Sequence, residues 1–96
     1  MKPLYRFSVY MTDMSHFSDF ENLLKDYFTG ATVRTGSRGL FMGEIEQSAV
    51  VEYITDNAVE GEGTCQRFSD AFCKLYNQDC TFIVMDRVHG RLSTAQ

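Results

Sequence analysis

The stretch from Gly39 to Gly63 holds the residues of this sequence that are best suited to chemistry. No Lys or Arg occurs between Arg38 and Arg67, whereas six acidic residues do: Glu44, Glu46, Glu52, Asp56, Glu60 and Glu62. A surface that carries charges of one sign attracts ligands of the opposite sign. The stretch is therefore typical either of a cation-binding surface or, more simply, of a solvated acidic loop beside an exposed strand.

Part of that stretch predicts a strand with two carboxylates and a hydroxyl on one face. Side chains alternate along a strand, so Glu44, Glu46 and Ser48 share a face if no bulge intervenes. The opposite face then carries Phe41, Gly43 and Ile45. Carboxylates two residues apart repel each other and favour a bound cation, and Gly43 leaves room for a ligand or a neighbouring backbone.

The elements that must position these residues begin with a strand and a helix. Leu4 to Met11 alternates in polarity, and Tyr5, Phe7, Val9 and Met11 form the more apolar set, which we expect to face the helices. After a short loop, apolar residues recur at helical spacing: Phe20, Leu23, Leu24, Tyr27 and Phe28. This spacing predicts a helix on one face of a sheet.

The second half of the chain predicts two more strands, a helix and a final strand. Residues 32–34 are extended, 36–39 form a turn or a bulge, and strands at 40–46 and 48–55 pair through a turn near Glu46–Ser48. Residues 56–63 are a loop, Thr64 caps a helix with its apolar stripe from Phe68 to Tyr76, and 80–88 is a strand. The fold class is therefore α+β: a ferredoxin-like β-α-β-β-α-β chain, with a four-stranded antiparallel sheet and two helices on one face.

Length and composition indicate a single domain, 1–96, with a core at about 4–88 and a polar tail at 89–96. So small a chain has a thin core, and its 14% aromatic content makes burial against sister subunits an expectation. The net charge of −4 argues against nucleic acid as the main partner. No apolar run approaches the roughly 18–20 residues of a membrane span, and no secretory signal is visible, so we expect a cytoplasmic protein.

The cysteines and histidines predict neither a disulfide framework nor a metal site. Cys65, Cys73 and Cys80 are odd in number and form no C-x-x-C pair, which favours small buried thiols in a reducing compartment. His16 and His89 lie at no ligand spacing from a cysteine, so zinc is not expected.

Three segments resemble the bacteriophage S-adenosylmethionine (SAM) lyases, once called hydrolases, which help phages to defeat host restriction by depleting the methyl donor. The first is Gly39-x-Phe41-x-Gly43-x-x-Glu46-x-Ser48 before an apolar strand. The second is Asn77-Gln78-Asp79-Cys80-Thr81-Phe82-Ile83-Val84, and the third is Tyr5-Arg6-Phe7-Ser8-Val9. The resemblance spans roughly residues 4–86, although only these short segments are specific.

The resemblance implies a ferredoxin-like homotrimer in the cytoplasm of an infected bacterium, with active sites between subunits. It implies cleavage of SAM to 5′-methylthioadenosine and homoserine lactone, with no metal or cofactor. The family uses a glutamate and a tyrosine from the central strands. Glu46 matches the glutamate, with Glu44 and Glu52 as rivals, and the tyrosine position falls on Phe41, so a hydroxyl must come from Tyr53 or Tyr5 or be absent.

Further residues are candidates for substrate binding: Ser48, Glu52, Tyr53, Phe7 and Gln78. Aromatic rings could stack on adenine and hold the sulfonium by cation–π contact, and a glutamate could hold the ammonium group. Two other functions remain open on the sequence. The chain could be a non-catalytic phage protein that inhibits a host enzyme through its acidic face, or a small-molecule-binding ferredoxin-like module.

Overall fold

The computed structural model describes residues 3–91 and 93, and it contains six elements. In chain order these are β1 (Leu4–Thr12), α1 (Phe20–Tyr27), β2 (Thr32–Phe41), β3 (Glu44–Thr55), α2 (Ala58–Tyr76) and β4 (Phe82–Val88). The strands form one antiparallel sheet in the order β2-β3-β1-β4. This is the ferredoxin-like arrangement, and the predicted fold class is confirmed. Of the predicted tail at 89–96, positions 92 and 94–96 lie outside the described residues.

The core lies between one face of the sheet and the two helices. Phe7, Val9 and Met11 of β1 are buried there, so the predicted alternation of this strand is confirmed. The residues buried with them come from β3, from both helices and from the end of α1: Ala49, Val51, Phe20, Leu23, Phe28, Cys65, Phe68 and Phe72. Burial in this layer raises the pKa of the Cys65 thiol to about 11. We call this side of the sheet the helix face.

The hairpin of β2 and β3 turns earlier than the sequence analysis predicts. Phe41 pairs with Glu44, which leaves Met42 and Gly43 as a two-residue loop with φ of 50° and 83°. Both residues of the common type I′ hairpin loop have positive φ, a conformation that glycine adopts without strain. The predicted turn near Glu46–Ser48 is therefore wrong, whereas the predicted irregularity at 36–39 is a bulge between Arg34 and Ser37.

Helix α2 begins six residues before the predicted cap at Thr64. Asn57 caps the helix, because its side chain accepts a hydrogen bond from the Glu60 amide at 3.0 Å. Gly61 lies in the first turns, where a Cβ atom would collide with Phe7 and Thr55, so the glycine permits close packing of the helix on the sheet. The predicted loop at 56–63 is therefore mostly helix, because tertiary packing outweighs the low helix propensity of its two glycines.

Neither α1 nor α2 covers the opposite side of the sheet, which we call the open face. Cross-strand partners share a face, so β1 places Arg6, Ser8, Tyr10 and Thr12 here with their partners on β3 and β4. Among the residues that the structure describes, ion pairs on this face join Arg6 to Asp86 at 2.8 Å and Arg34 to Glu52 at 3.2 Å. Within the described residues, no helix is long and apolar enough to cross a membrane.

Candidate functional site

A cleft of about 460 Å³ opens at the end of β1, between its neighbours β3 and β4. β1 ends at Thr12, opposite Ser48, whereas β2 and β3 continue past this point to the turn at Met42 and Gly43. The overhanging hairpin forms one wall, and residues 78–82 before and at the start of β4 form the other. The volume lies in the range of small-molecule sites, which is roughly 300–1,000 Å³.

The polar groups of the cleft come from adjacent strands. Glu46 is half-buried, and its Oε1 accepts a hydrogen bond from the Thr12 hydroxyl at 3.0 Å. Ser48 lies beside Gly39, where a Cβ atom would approach the Ser48 Oγ to 2.5 Å. Only glycine therefore leaves the serine in its observed position, and a carboxylate and a hydroxyl line the hairpin side of the cleft.

Three aromatic rings border the same cleft, from Tyr10, Phe41 and Phe82. Phe41 lies on the same face as Glu44 and Glu46, because it pairs with Glu44 across the hairpin. The sequence analysis placed Phe41 on the opposite face, which is wrong because the two-residue loop reverses the strand before the glutamates. Tyr10 and Phe82 are themselves a cross-strand pair on β1 and β4.

The second wall follows the C-terminal end of α2. Asn77 adopts φ of 53° in the left-handed region, and the Gln78 amide donates to the Cys73 carbonyl at 2.9 Å, which ends the helix. Thr81 is tied to α2 by a hydrogen bond of 2.5 Å with Ser69. Cys80, which lies between Gln78 and Thr81 in the sequence, is exposed. The prediction of buried thiols is therefore correct for Cys65 and wrong for Cys80.

Four of the predicted site residues lie together around the cleft: Phe41, Glu46, Ser48 and Gln78. They come from β2, β3 and the segment after α2, which are far apart along the chain. The antiparallel register and the end of β1 bring them together.

Two predicted carboxylates lie elsewhere. Glu44 is exposed beside the hairpin turn, and it does not line the cleft. Glu52 lies further along β3 on the open face, where its carboxylate pairs with Arg34. Of the three glutamates considered as the anionic group, only Glu46 therefore lines the cleft.

The predicted Tyr53 and Phe7 lie on the helix face, away from the cleft. The Tyr53 hydroxyl donates to Glu60 Oε1 at 3.2 Å, and its ring packs against Phe28 with centroids 5.2 Å apart. Burial, followed by the nearby Glu60 charge, raises the pKa of Tyr53. Phe7 is 3% exposed in the core, and Tyr5 shares its face. None of these three side chains lines the cleft, because Tyr5, Phe7 and its cross-strand partner Tyr53 lie far from the end of β1 at Thr12.

Sequence analysis missed Tyr10 and Thr12, the two open-face residues at the end of β1. The alternation of β1 already separates them from the apolar set, and it is the signal that could have found them. Their neighbours across the sheet could not be read from the sequence, because the register was unknown. Among the described residues, no group of three His, Cys, Asp or Glu side chains is arranged to hold a metal ion.

No family model and no curated protein sequence matches this chain. Among solved structures, CPII, a nitrogen regulatory PII-like protein from Thiomonas intermedia K12 bound to ADP, AMP and bicarbonate, superposes with a TM-score of 0.59. The two are 13% identical over 95% of this chain and 97% of that chain. The de novo designed protein Foldit4 gives a TM-score of 0.40 at 12% identity, over 95% of this chain and 100% of that chain. At such low identity the likeness to the PII-like protein shows a shared ferredoxin-like fold and nothing further.

Proposed function

We propose that this protein is a SAM lyase that binds its substrate in the cleft beside Glu46. The observation that carries the proposal is an anionic, aromatic-walled cleft with no Lys or Arg among the described residues that line it. The proposal takes its reaction from the resemblance to the phage enzymes. It takes its location from the four predicted residues that line the cleft.

The charges of the cleft favour a cation. Glu46 and Asp79 both line it, and no Lys or Arg is among the described residues that do. The end of α2 adds partial negative charge at the second wall, since helix carbonyls point towards the C-terminus. SAM carries a sulfonium and an ammonium group, and both suit these surroundings.

The aromatic rings suit the rest of the substrate. Tyr10, Phe41 and Phe82 can stack on adenine or lie over the sulfonium, an interaction worth about 0.5–2 kcal/mol, depending on how far the cation is desolvated. Tyr10 also offers the hydroxyl that the phenylalanine at position 41 lacks. Tyr10 is 46% exposed, so a ligand in the cleft can contact it.

The proposed reaction needs only the substrate's own groups. The substrate carboxylate attacks its γ-carbon, a C–O bond forms, and the C–S bond breaks with its electron pair left on sulfur. The products are 5′-methylthioadenosine, which is neutral, and homoserine lactone, which keeps the positive charge of its ammonium group, and no proton has to be transferred. The chain's part is to hold the ammonium at Glu46, bend the methionine moiety and exclude water, which favours a step that neutralises charge.

A second candidate function is a nucleotide-binding regulator, since the PII-like protein of similar fold contains ADP and AMP. Phosphate groups bind best to Arg, Lys or exposed backbone amides. The carboxylates of Glu46 and Asp79 repel phosphates, which makes SAM the better ligand for this cleft.

We further propose that the protein is a homotrimer in the bacterial cytoplasm, where SAM occurs. The open face supports self-association, because α1 and α2 leave apolar side chains exposed on it, among them Tyr10, Phe41, Ile54, Phe82 and Val84. The number three comes from the phage-enzyme resemblance. Sedimentation of a single 11.0 kDa species would contradict an interfacial site.

The decisive experiment is to incubate the protein with SAM and separate the products by chromatography. We expect 5′-methylthioadenosine and homoserine lactone in equal amounts. ADP and AMP binding should be measured in parallel by calorimetry. Tight nucleotide binding without SAM breakdown favours the regulator, and the absence of both favours the inhibitor of a host enzyme.

A further inference from the structure

The two oxygens of the Glu46 carboxylate are in different situations. Oε1 accepts the hydrogen bond from the Thr12 hydroxyl at 3.0 Å. Within the described part of the chain no other hydrogen bond reaches this carboxylate, so Oε2 is available to a ligand in the cleft. One oxygen is thus held by the protein and the other is open to the substrate.

The hydroxyl that holds Oε1 is itself held firmly by the sheet. Thr12 pairs with Ser48, and the Asp13 amide donates to the Gln47 carbonyl at 2.9 Å, so the backbone of β1 is fixed up to its last residue. A threonine has few χ1 rotamers because it is branched at Cβ. With the backbone of Thr12 fixed, only a few positions are open to its hydroxyl, and the observed one reaches Glu46 Oε1.

Glu46 lacks such restraint of its own. A glutamate has three side-chain torsions, and its freedom costs free energy to remove when a ligand binds. Glu46 lies on the overhanging part of the hairpin, beyond the end of β1, where the sheet is only two strands wide. Without the Thr12 hydroxyl, the Glu46 carboxylate can rotate into solvent on this two-stranded part of the hairpin.

We propose that Thr12 is a positioning residue that holds Glu46 Oε1 and thereby aims Oε2 at the substrate ammonium. The inference rests on the proposed function for its kinetic consequence. The geometric part, that Thr12 selects one rotamer of Glu46, concerns the ligand-free protein alone. Thr12 itself needs no contact with the substrate for this role.

The kinetic test compares Thr12→Val, which removes the hydroxyl and keeps the branched shape, with Thr12→Ser, which keeps the hydroxyl. We expect Thr12→Val to lower kcat for SAM about tenfold with a smaller change in KM, because a misaimed carboxylate still binds the ammonium but no longer holds the methionine moiety in the attack geometry. Thr12→Ser should recover most of the loss. Thr32→Val, an exposed threonine on β2 outside the cleft, is the matched control and should turn over SAM at the wild-type rate.

A second measurement does not depend on SAM. Side-chain three-bond couplings of Glu46, measured by NMR in the ligand-free protein, should report one dominant rotamer in the wild type and in Thr12→Ser. Thr12→Val should give averaged couplings while the amide spectrum of the sheet stays the same. Averaged couplings already in the wild type, or an ordered Glu46 in Thr12→Val, would overturn the inference.

Together, the kinetic test and the NMR measurement distinguish a failure of the proposed function from a failure of the role proposed for Thr12. A wild-type protein that leaves SAM intact refutes the proposed function, and the couplings still decide whether Thr12 orders Glu46. If SAM is cleaved but Thr12→Val and Thr12→Ser lose equal activity, the hydroxyl has no positioning role.

Discussion

The two faces of the sheet differ in what covers them, although the same strands build both. On the helix face, Val9, Val51 and Phe72 have no exposed area. On the open face, Phe82 is 68% and Ile54 52% exposed, and ion pairs lie between apolar side chains. The helix face is fully packed, whereas the open face has exposed surface that a ligand or another subunit can contact.

Along β1 and β3 the odd-numbered residues lie on the helix face and the even-numbered residues on the open face. Adjacent residues therefore contribute to different properties, the former to stability and the latter to the candidate function. On β3, Val51 contributes to the core while the adjacent Glu52 pairs with Arg34 on the open face. On β1, Met11 is buried in the core while Tyr10 and Thr12 on either side of it lie on the open face, although all three residues line the cleft. Substitutions one residue apart should therefore have different consequences, which the following predictions test.

The largest expected effect is on the helix face. Phe72→Ala should lower the free energy of unfolding by about 3–5 kcal/mol, because it leaves a cavity where Phe20, Phe68 and Tyr76 now pack. Urea denaturation followed by circular dichroism measures this loss.

Phe82→Ala is the matched change on the open face, and it should cost the folded subunit about 0.5 kcal/mol or less. If sister subunits cover this face, Phe82→Ala should instead weaken self-association, which sedimentation at several concentrations detects. Equal losses of subunit stability in the two variants would contradict the contrast between the faces.

Glu46→Gln should have the next largest effect. It should impair the reaction with SAM and leave stability and assembly unchanged. Loss of the charge that holds the substrate ammonium should lower kcat/KM for SAM about a hundredfold. The unfolding midpoint and the sedimentation coefficient should stay at the wild-type values. Glu44→Gln is the matched control, two residues away on the same strand face but outside the cleft. Glu44→Gln should keep the wild-type rate, and full activity in Glu46→Gln would contradict the proposed role of Glu46 in the cleft.

Gly39→Ala should narrow the cleft on the side that the hairpin of β2 and β3 forms. The added Cβ would lie 2.5 Å from the Ser48 Oγ, so the serine has to move towards the ligand space. We expect the apparent affinity for SAM, measured as KM in steady-state kinetics, to fall about tenfold. Adding Ser48→Ala to Gly39→Ala should recover most of the affinity that the collision costs, because the Oγ is then gone. Gly30→Ala, where a Cβ meets nothing within 4 Å, should leave binding unchanged.

The smallest expected effect appears at alkaline pH on the helix side. Burial and the hydrogen bond of 2.6 Å to Asp19 raise the pKa of Tyr76 from about 10 to about 12. The unfolded chain then loses this proton at lower pH than the folded chain. The corresponding stability is complete below pH 10 and is lost as the pH rises towards 12.

Tyr76→Phe should therefore flatten the decline of the urea midpoint between pH 10 and 12. Cys65 and Tyr53, whose pKa values are also raised, contribute the same decline to both proteins. A decline that is equally steep in wild type and Tyr76→Phe would show that Tyr76 contributes nothing.

Much of the fold was predictable because it follows from local patterns. Alternation in β1 and the helical spacing after Phe20 predicted the correct elements and faces. The errors fall at Met42–Gly43 and at 57–63, where local signals were ambiguous. A methionine is an uncommon residue at positive φ, and two glycines argue against the start of a helix, so only the pairing and packing of the folded chain decide these positions.

The sequence by itself determined the order of the elements, the core face of β1 and the acidic character of the stretch around Glu46, because these depend on periodicity and composition. The tertiary structure alone decided that Phe41 and Glu46 share a face, that Tyr10 and Thr12 join them, and that Tyr53 and Phe7 do not. The physical reason is that strand register is a non-local property. The position of one two-residue loop and the early end of β1 decide which side chains meet, and neither is encoded in the spacing along a single strand.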